Sequence, residues 1–474
     1  MHWHNIILQK DMDRIDMDSI RAVYFVGIGG IGMSAIARYF LHQGVPVGGY
    51  DKTPTELTRR LEAEGAMIHY QDDVALIPQP FLNKEHCLVV YTPAIPDTHT
   101  ELCHFRAQGF VLQKRAQVLG ELTRAYKGLC VAGTHGKTTT SSMAAHLLHQ
   151  SHVHCNAFLG GITKNYGTNY ILSDQSDYVV VEADEFDRSF HALTPYATVV
   201  TATDADHLDI YGTKEAYLES FSHYTSLIRR DGYLIVHEGL EMQPRVQPGV
   251  QVYTYGRESG DFHAANIRIG GGEICFDLVS PLGNIADIQL GVPVSINIEN
   301  GIAAMALAQL AGVTAEEIRG GMATFSGVDR RFDFQYKTPD RAVLTDYAHH
   351  PAEIRQSILS IRELYRGKRI AAVFQPHLYT RTRDFYMEFA SSLSLLDEVI
   401  LTQIYPAREQ PIPGVTSRLI YDNLAQGVTK VLCDKQEVVA AVGRSQADVF
   451  ILLGAGDIDA LATQIVELVK NRID

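Results

Sequence analysis

Apolar runs that end in glycine turns, each followed by helix-spaced apolar positions, recur along this chain. Val23–Val26 leads into GIGGIG, a helical pattern runs from Met33 to Gln43, and Val45–Tyr50 ends at Asp51. The pattern predicts strand, glycine turn, helix, strand. Cys87–Tyr91 precedes Thr92-Pro93, and Val111 follows at strand-like distance, so a parallel sheet is expected to about residue 123. The same order restarts with Leu129–Ala132, the loop GTHGKTTT and the helix-like SSMAAHLLHQ. Tyr178–Val181 and Thr198–Thr201 read as buried strands that run into EADEFD and TDADHLD. Between Val250 and Leu290, short alternating runs such as ANIRIG and EICFDLV predict a small antiparallel insertion. Helical patterning returns from Asn297 to Ala311. From near Phe332, strand-like Val343–Thr345, Ile370–Phe374, Val399–Thr402, Lys430–Cys433 and Val449–Leu453 alternate with helix-length stretches, which predicts another open α/β sheet.

The expected class is therefore α/β with three domains, spanning 1–123, 124–332 and 333–474. At 474 residues the chain exceeds what one core supports. Its 46% hydrophobic and 20% charged residues are those of a globular protein. A formal charge of −14, with no basic cluster, argues against nucleic acid or an anionic membrane as partner. The six cysteines show no paired ligand spacing and read as reduced and cytosolic. The N-terminal MHWHNIILQKDMDRIDMDSI is too weakly apolar for a secretory signal and reads as an extension; no later run approaches membrane-spanning length.

Gly133-Thr134-His135-Gly136-Lys137-Thr138-Thr139 lies between a strand and a helix, the setting a phosphate loop needs. In such a loop glycine backbone lets phosphate oxygens approach, Lys137 can neutralise the β and γ phosphates, and the Thr138 hydroxyl can hold Mg²⁺. Val131 stands where the longer form of the loop has glycine, so this is a short GTxGKT variant. Gly27, Gly29, Gly30 and Gly32 match GxGxxG, with Asp51 at a strand end downstream. A dinucleotide, another pyrophosphate ligand and simple tight packing all fit that pattern; the ATP-type loop downstream favours a pyrophosphate substrate over a nicotinamide cofactor. Glu182, Asp184, Asp204, Asp206 and His207 sit at strand ends and could hold Mg²⁺ or form an acidic surface, with placement favouring Glu182 and His207 as ligands. Asn297 and Asn300 share a helix face and suit either an adenine edge or ordinary capping. In the last segment, DYAHHP (Asp346–Pro351) and QPHLYTRT (Gln375–Thr382) put histidine and arginine at neighbouring strand ends, a rim suited to a carboxylate and an anionic transition state. Zinc is a rival for these histidines, but no cysteine accompanies them.

Taken in order, GIGGIGM, GTHGKTTT, EADE, DADHLD, NxxN, SGVDRRF, DYAHHP and QPHLYTRT resemble the Mur ligases of bacterial peptidoglycan synthesis, from about Val23 to Ile458. The phosphate loop alone would also admit folylpolyglutamate synthetase. GIGGIGM with DYAHHP and YTRT is narrower and resembles the branch that joins L-alanine to UDP-N-acetylmuramate. The resemblance implies a Rossmann-like N-terminal domain for the UDP-sugar, a central P-loop-type ATPase domain, and a Rossmann-like C-terminal domain for the amino acid. It implies that Gly27, Gly29, Gly30 and Gly32 approach the UDP pyrophosphate, with Asp51 near the uridine. Lys137 and Thr138 match the ATP and Mg²⁺ positions, Glu182 and His207 the metal-associated ones, and Asn297 and Asn300 the adenine side. Arg330 or Arg331 matches the arginine that reaches the γ-phosphate, and Asp346 a nucleotide contact. Tyr347, His349, His377 and Arg381 fall where the family handles the amino acid and the reacting carboxylate.

The implied reaction activates a carboxylate with ATP as an acyl phosphate and joins it to an amine in the cytoplasm. Departures from the family pattern are Ser222 and its neighbours, where sister enzymes carry a carbamylated lysine, Tyr70–Asp73 in place of a frequent Gly-His, and Thr203 in place of a frequent asparagine. Two alternatives have different products. A recycling ligase would attach a ready-made tripeptide, but its glycine motif usually carries larger residues where this chain has Gly30. A nicotinamide-dependent dehydrogenase would use GIGGIG for redox and leave the second loop structural.

Overall fold

The computed structural model describes residues 20–92, 94–205, 208–270, 273–407 and 409–471. The N-terminal extension, apart from Ile20, lies outside them, as do Asp206 and His207.

The first sheet is wholly parallel, in the order Met67–His69, Val47–Tyr50, Ala22–Val26, Cys87–Tyr91, Val111–Lys114. Ala22–Val26 is buried along its whole length, which is why AVYFV reads as an unbroken apolar run. Its successors in sequence lie on opposite sides of it, so a crevice opens beyond its C-terminal end. GIGGIG occupies that switch point and feeds the helix Ile31–His42.

The second sheet runs Gln251–Tyr255, Tyr233–His237, Ala197–Val200, Lys127–Ala132, Tyr178–Ala183, Asn156–Thr163, Thr168–Ile171. All pairs are parallel except the last. Lys127–Ala132 sits between Ala197–Val200 and Tyr178–Ala183, so GTHGKT, the segment Thr203–Ala205 and EADE lie side by side at one end of the sheet. Thirteen residues, Lys137–His149, form the helix after the loop, and it packs on the alanine-rich helix Ile296–Leu310. The predicted antiparallel insertion begins later than its alternating pattern suggests. Gln251–Tyr255 instead pairs in parallel with Tyr233–His237 as the edge of the main sheet. The antiparallel sheet consists of His263–Gly270, Glu273–Val279 and Ile285–Gln289.

The third sheet runs Asp333–Lys337, Ala342–Asp346, Val449–Leu453, Ile370–Phe374, Glu398–Leu401, Thr429–Leu432. Only the first pair is antiparallel. DYAHHP, GAGDI and QPHLYTRT therefore emerge from three adjacent strands at one end of the sheet. Among the described residues no helix is long and apolar enough to cross a membrane.

Candidate active site

The loop after Lys127–Ala132 takes its shape from two glycines with positive φ, Gly133 at 135° and Gly136 at 79°. A Cβ on Gly133 would lie 2.1 Å from Thr201 Oγ1 and 2.8 Å from the Ala202 backbone nitrogen, and one on Gly136 would lie 2.8 Å from Asn300 Oδ1, so with these φ values a side chain is strained at both positions. Lys137 Nζ donates to Gly133 O at 2.6 Å and to Glu185 Oε2 at 2.7 Å. Burial alone would pull this ammonium down, yet Glu185, Asp184 and Glu182 hold it above its ordinary value. Thr134 is anchored by the Asp204 carbonyl and by Tyr217 OH, both at 2.8 Å.

Thr138 Oγ1 donates to Glu182 at 3.0 and 3.1 Å to the two oxygens. These are hard oxygen donors of the kind Mg²⁺ accepts, and Mg²⁺ ordinarily completes its shell with phosphate and water. Glu182 rests against bare backbone, since a Cβ on Gly160 would lie 2.1 Å from its Oε2. The pair fits Mg²⁺; among the described residues no cluster of three or more His, Cys, Asp or Glu forms an all-protein cage. His207, expected beside them, is outside the described residues.

From the loop a cleft of ≈ 650 Å³ extends between the second and third sheets. Its walls include His135, Gly136, Thr139, Asn297 and Asn300 on one side and Arg331, Asp346 and Glu353 on the other. Asn300 accepts from Thr140 Oγ1 at 3.3 Å and donates to Asn297 Oδ1 at 3.1 Å; Asn297 in turn donates to Val292 O. The two amides thus share a face, as their spacing predicts. His237 and Glu299 lie 3.5 Å apart on the same wall, and Glu299 raises the histidine above its usual value.

Asp346 closes the far wall. Burial pushes its carboxyl up to about 6, against the pull of Ser357, which donates at 2.6 Å, and of Arg331. Arg330 and Arg331 flank the Tyr347 ring at 4.8 and 5.0 Å, but they do different work. The Arg330 guanidinium is tied to the carbonyls of Gly454 and Gly456 and to Asp459 at 3.2 Å. Arg331 lines the cleft.

His349 Nδ1 lies 3.0 Å from Tyr347 O, and its ring stands 6.0 Å from that of His377. His377 stacks on Tyr405. Burial, helped by the Arg381 and Arg331 charges, lowers His349 to about 4, against the opposing pull of Glu353 and of the Tyr347 carbonyl. Tyr347, His349, His377 and Arg381 thus gather at the mouths of two strands, with the ring neutral near pH 7.

At the first sheet, Gly27 has φ of 90°, and Gly29 N donates to Asp51 Oδ2 at 2.7 Å. Asp51 therefore buttresses the glycine turn itself. A Cβ on Gly32 would meet Arg115 Nη1 at 2.4 Å. Arg115 pairs with Asp184 at 3.3 Å and Lys114 with Asp187 at 2.7 Å, so two cations stand between the glycine turn and EADEFD. Lys114, Arg115, Glu185 and Glu353 are absent from the sequence-based site. Only the QKR run at the end of a strand and the histidine-to-glutamate spacing of His349 and Glu353 hinted at any of them.

Comparison with known proteins agrees with this geometry. Residues 22–127 match the Mur ligase family catalytic domain, 131–308 the Mur ligase middle domain, and 330–456 the Mur ligase glutamate ligase domain. The chain is 66% identical to the UDP-N-acetylmuramate–L-alanine ligase of Phocaeicola vulgatus, over 97% of this chain and 100% of that protein. It is 60% identical to the enzyme of that name from Parabacteroides distasonis, over 97% and 99%. The crystal structure of the UDP-N-acetylmuramate-alanine ligase of Thermotoga maritima superposes with a TM-score of 0.78 at 28% identity, covering 95% of this chain and 99% of that one. Three matched domains in order, and relatives of high identity along nearly the whole chain, establish that this chain belongs to the Mur ligase family.

Proposed function

We infer that this protein is an ATP-dependent ligase that forms an amide between the lactyl carboxylate of UDP-N-acetylmuramate and L-alanine, in peptidoglycan precursor synthesis. The observation that carries the ligase reading is the single cleft in which the phosphate loop and the Asn297–Asn300 pair face Arg331 and Asp346 from another sheet. The named relatives narrow the substrates. A dehydrogenase has no use for such a second nucleotide site.

A carboxylate is a poor electrophile. Its oxygen attacks the γ-phosphorus of ATP, ADP leaves, and an acyl phosphate results; the alanine amine then attacks the carbonyl carbon and phosphate departs. Lys137 and Arg331 supply positive charge to the phosphates from opposite walls. Thr138 and Glu182 would hold Mg²⁺, which supplies charge neutralisation on the transferring group. We assign the pyrophosphate of the UDP-sugar to Gly27, Gly29, Gly30 and Gly32 with Lys114 and Arg115, and the adenine side to Asn297 and Asn300. Tyr347, His377 and Arg381 are assigned to the amino acid. A ring held neutral down to about pH 4 accepts a hydrogen bond from the incoming amine well but is a weak base for an alkylammonium, so His349 orients the nucleophile. Arg330 supports this wall by fixing GAGDI beside it. We place the reaction in the cytoplasm, where ATP and nucleotide sugars are supplied.

The test is phosphate release from ATP with UDP-N-acetylmuramate and, in turn, L-alanine, glycine, L-serine and a muramyl-type tripeptide. Release that requires the UDP-sugar and is fastest with L-alanine is expected. Preference for the tripeptide would overturn the substrate assignment, and NAD(P)H oxidation without phosphate release would overturn the reaction class.

A further inference from the structure

One largely covered carboxylate joins the phosphate loop to the turn that carries His349. Glu353 lies in the first turn of the helix Pro351–Leu364, and its side chain is 16% exposed. Oε2 accepts the backbone N–H of His349 at 3.0 Å and of His350 at 3.2 Å, and lies 3.3 Å from His349 Nδ1. Oε1 points the other way, to His135 Nδ1 at 3.3 Å, 218 residues distant in sequence. The His135 and His350 rings stand 5.6 Å apart across the same junction.

Capping the helix accounts for Oε2 alone. Nothing in a helix cap requires the second oxygen to meet a histidine from the phosphate loop of a different sheet. Burial opposes ionisation of Glu353, but His349, His135 and Arg331 hold its carboxyl well below the usual range. The same charge lifts His135 above its ordinary value against the effect of burial. Glu353 is thus a charged group with partners on both walls of the cleft.

We propose that Glu353 is a positioning residue that couples the two half-sites: it fixes the turn presenting His349 to the amine and ties His135 of the phosphate loop to that turn. The proposal rests on the ligase reading above. Its consequence is that a residue of the phosphate loop influences use of the amino acid, although it stands on another sheet. The UDP-sugar, assigned to the glycine turn of the first sheet, is outside this linkage.

The experiment measures kcat and the KM of each substrate for the full-length wild type, His135→Gln, Glu353→Gln and the double variant. Glu353→Gln retains an oxygen for the two N–H groups and loses the charge. Expected for it are a fall in kcat of about 100-fold and a rise in the KM for L-alanine of about tenfold, with the KM for UDP-N-acetylmuramate within about twofold of wild type. His135→Gln raises the KM for L-alanine as well, and the double variant is no worse than Glu353→Gln, because the two residues act through one contact. An unchanged KM for L-alanine in His135→Gln overturns the coupling even where Glu353→Gln fails to fold, and so do multiplicative effects in the double variant. A wild type that releases no phosphate with these substrates overturns the ligase reading and this inference with it; an active wild type confines any failure to the coupling.

Discussion

Replacing Lys137 by alanine should damage the protein in two separable ways. Its ammonium is the counter-ion of Glu185, a residue only 2% exposed, at 2.7 Å. Removing one member of a buried pair leaves an uncompensated charge and costs about 3–5 kcal/mol. At about 2–4 °C per kcal/mol for a domain of this size class, the melting transition that reports the central sheet should fall by roughly 10 °C. Adding Glu185→Gln removes the stranded carboxylate, so the double variant should regain more than about half of the loss, an interaction energy on the order of 2 kcal/mol. Activity should not return with stability. In the proposed mechanism Lys137 is the cation of the loop that meets the transferring phosphoryl group, and loss of such a donor should lower kcat by at least about 10²–10³-fold. The assay is thermal melting of wild type, both single variants and the double variant, with phosphate release measured on each below its transition. A Lys137→Ala variant that melts with wild type would refute the burial argument, and a double variant with near-normal turnover would refute the role given to Lys137.

Three other outcomes follow from the same geometry. Asp346 is raised from 3.8 to about 6, so between those values the folded state binds more protons than the unfolded one, and its contribution to stability is lost as pH rises through that window. Asp346→Asn should therefore gain on wild type from pH 4 to 6, by up to about 3 kcal/mol at pH 7, in denaturant titrations; parallel pH profiles would contradict this. Gly160→Ala drives a methyl group into Glu182 and should raise the Mg²⁺ concentration for half-maximal rate by on the order of tenfold, with chelator abolishing phosphate release in both proteins. Gly133→Ala meets Thr201 Oγ1 and the backbone nitrogen of Ala202 at a φ of 135°, and should abolish ATP-dependent protection against thermal unfolding.

Much of the architecture is legible in the sequence because buried parallel strands are continuous apolar runs. Ala22–Val26, Leu129–Ala132, Ile370–Phe374 and Val449–Leu453 are examples. The hairpin Asn156–Thr163 with Thr168–Ile171 escapes notice because LGGIT and its partner mix glycine and polar residues at a sheet edge. Asp333–Lys337 escapes because a half-covered strand loses its apolar continuity. For the site, the glycine loops announce themselves through backbone demands that few sequences share. Glu185 and Glu353 do not, since a carboxylate acquires its meaning from partners supplied by distant strands. The Asn297–Asn300 pair was ambiguous in sequence and is placed on the cleft wall by the fold.

In the proposed reaction, phosphorylation of the muramate carboxylate precedes amide formation. The direct measurement uses UDP-N-acetylmuramate with both lactyl carboxylate oxygens isotopically labelled, turned over with ATP and L-alanine, followed by mass analysis of the inorganic phosphate. Transfer of one labelled oxygen to phosphate per amide formed is the predicted result. Unlabelled phosphate, or pyrophosphate with AMP in its place, would contradict it.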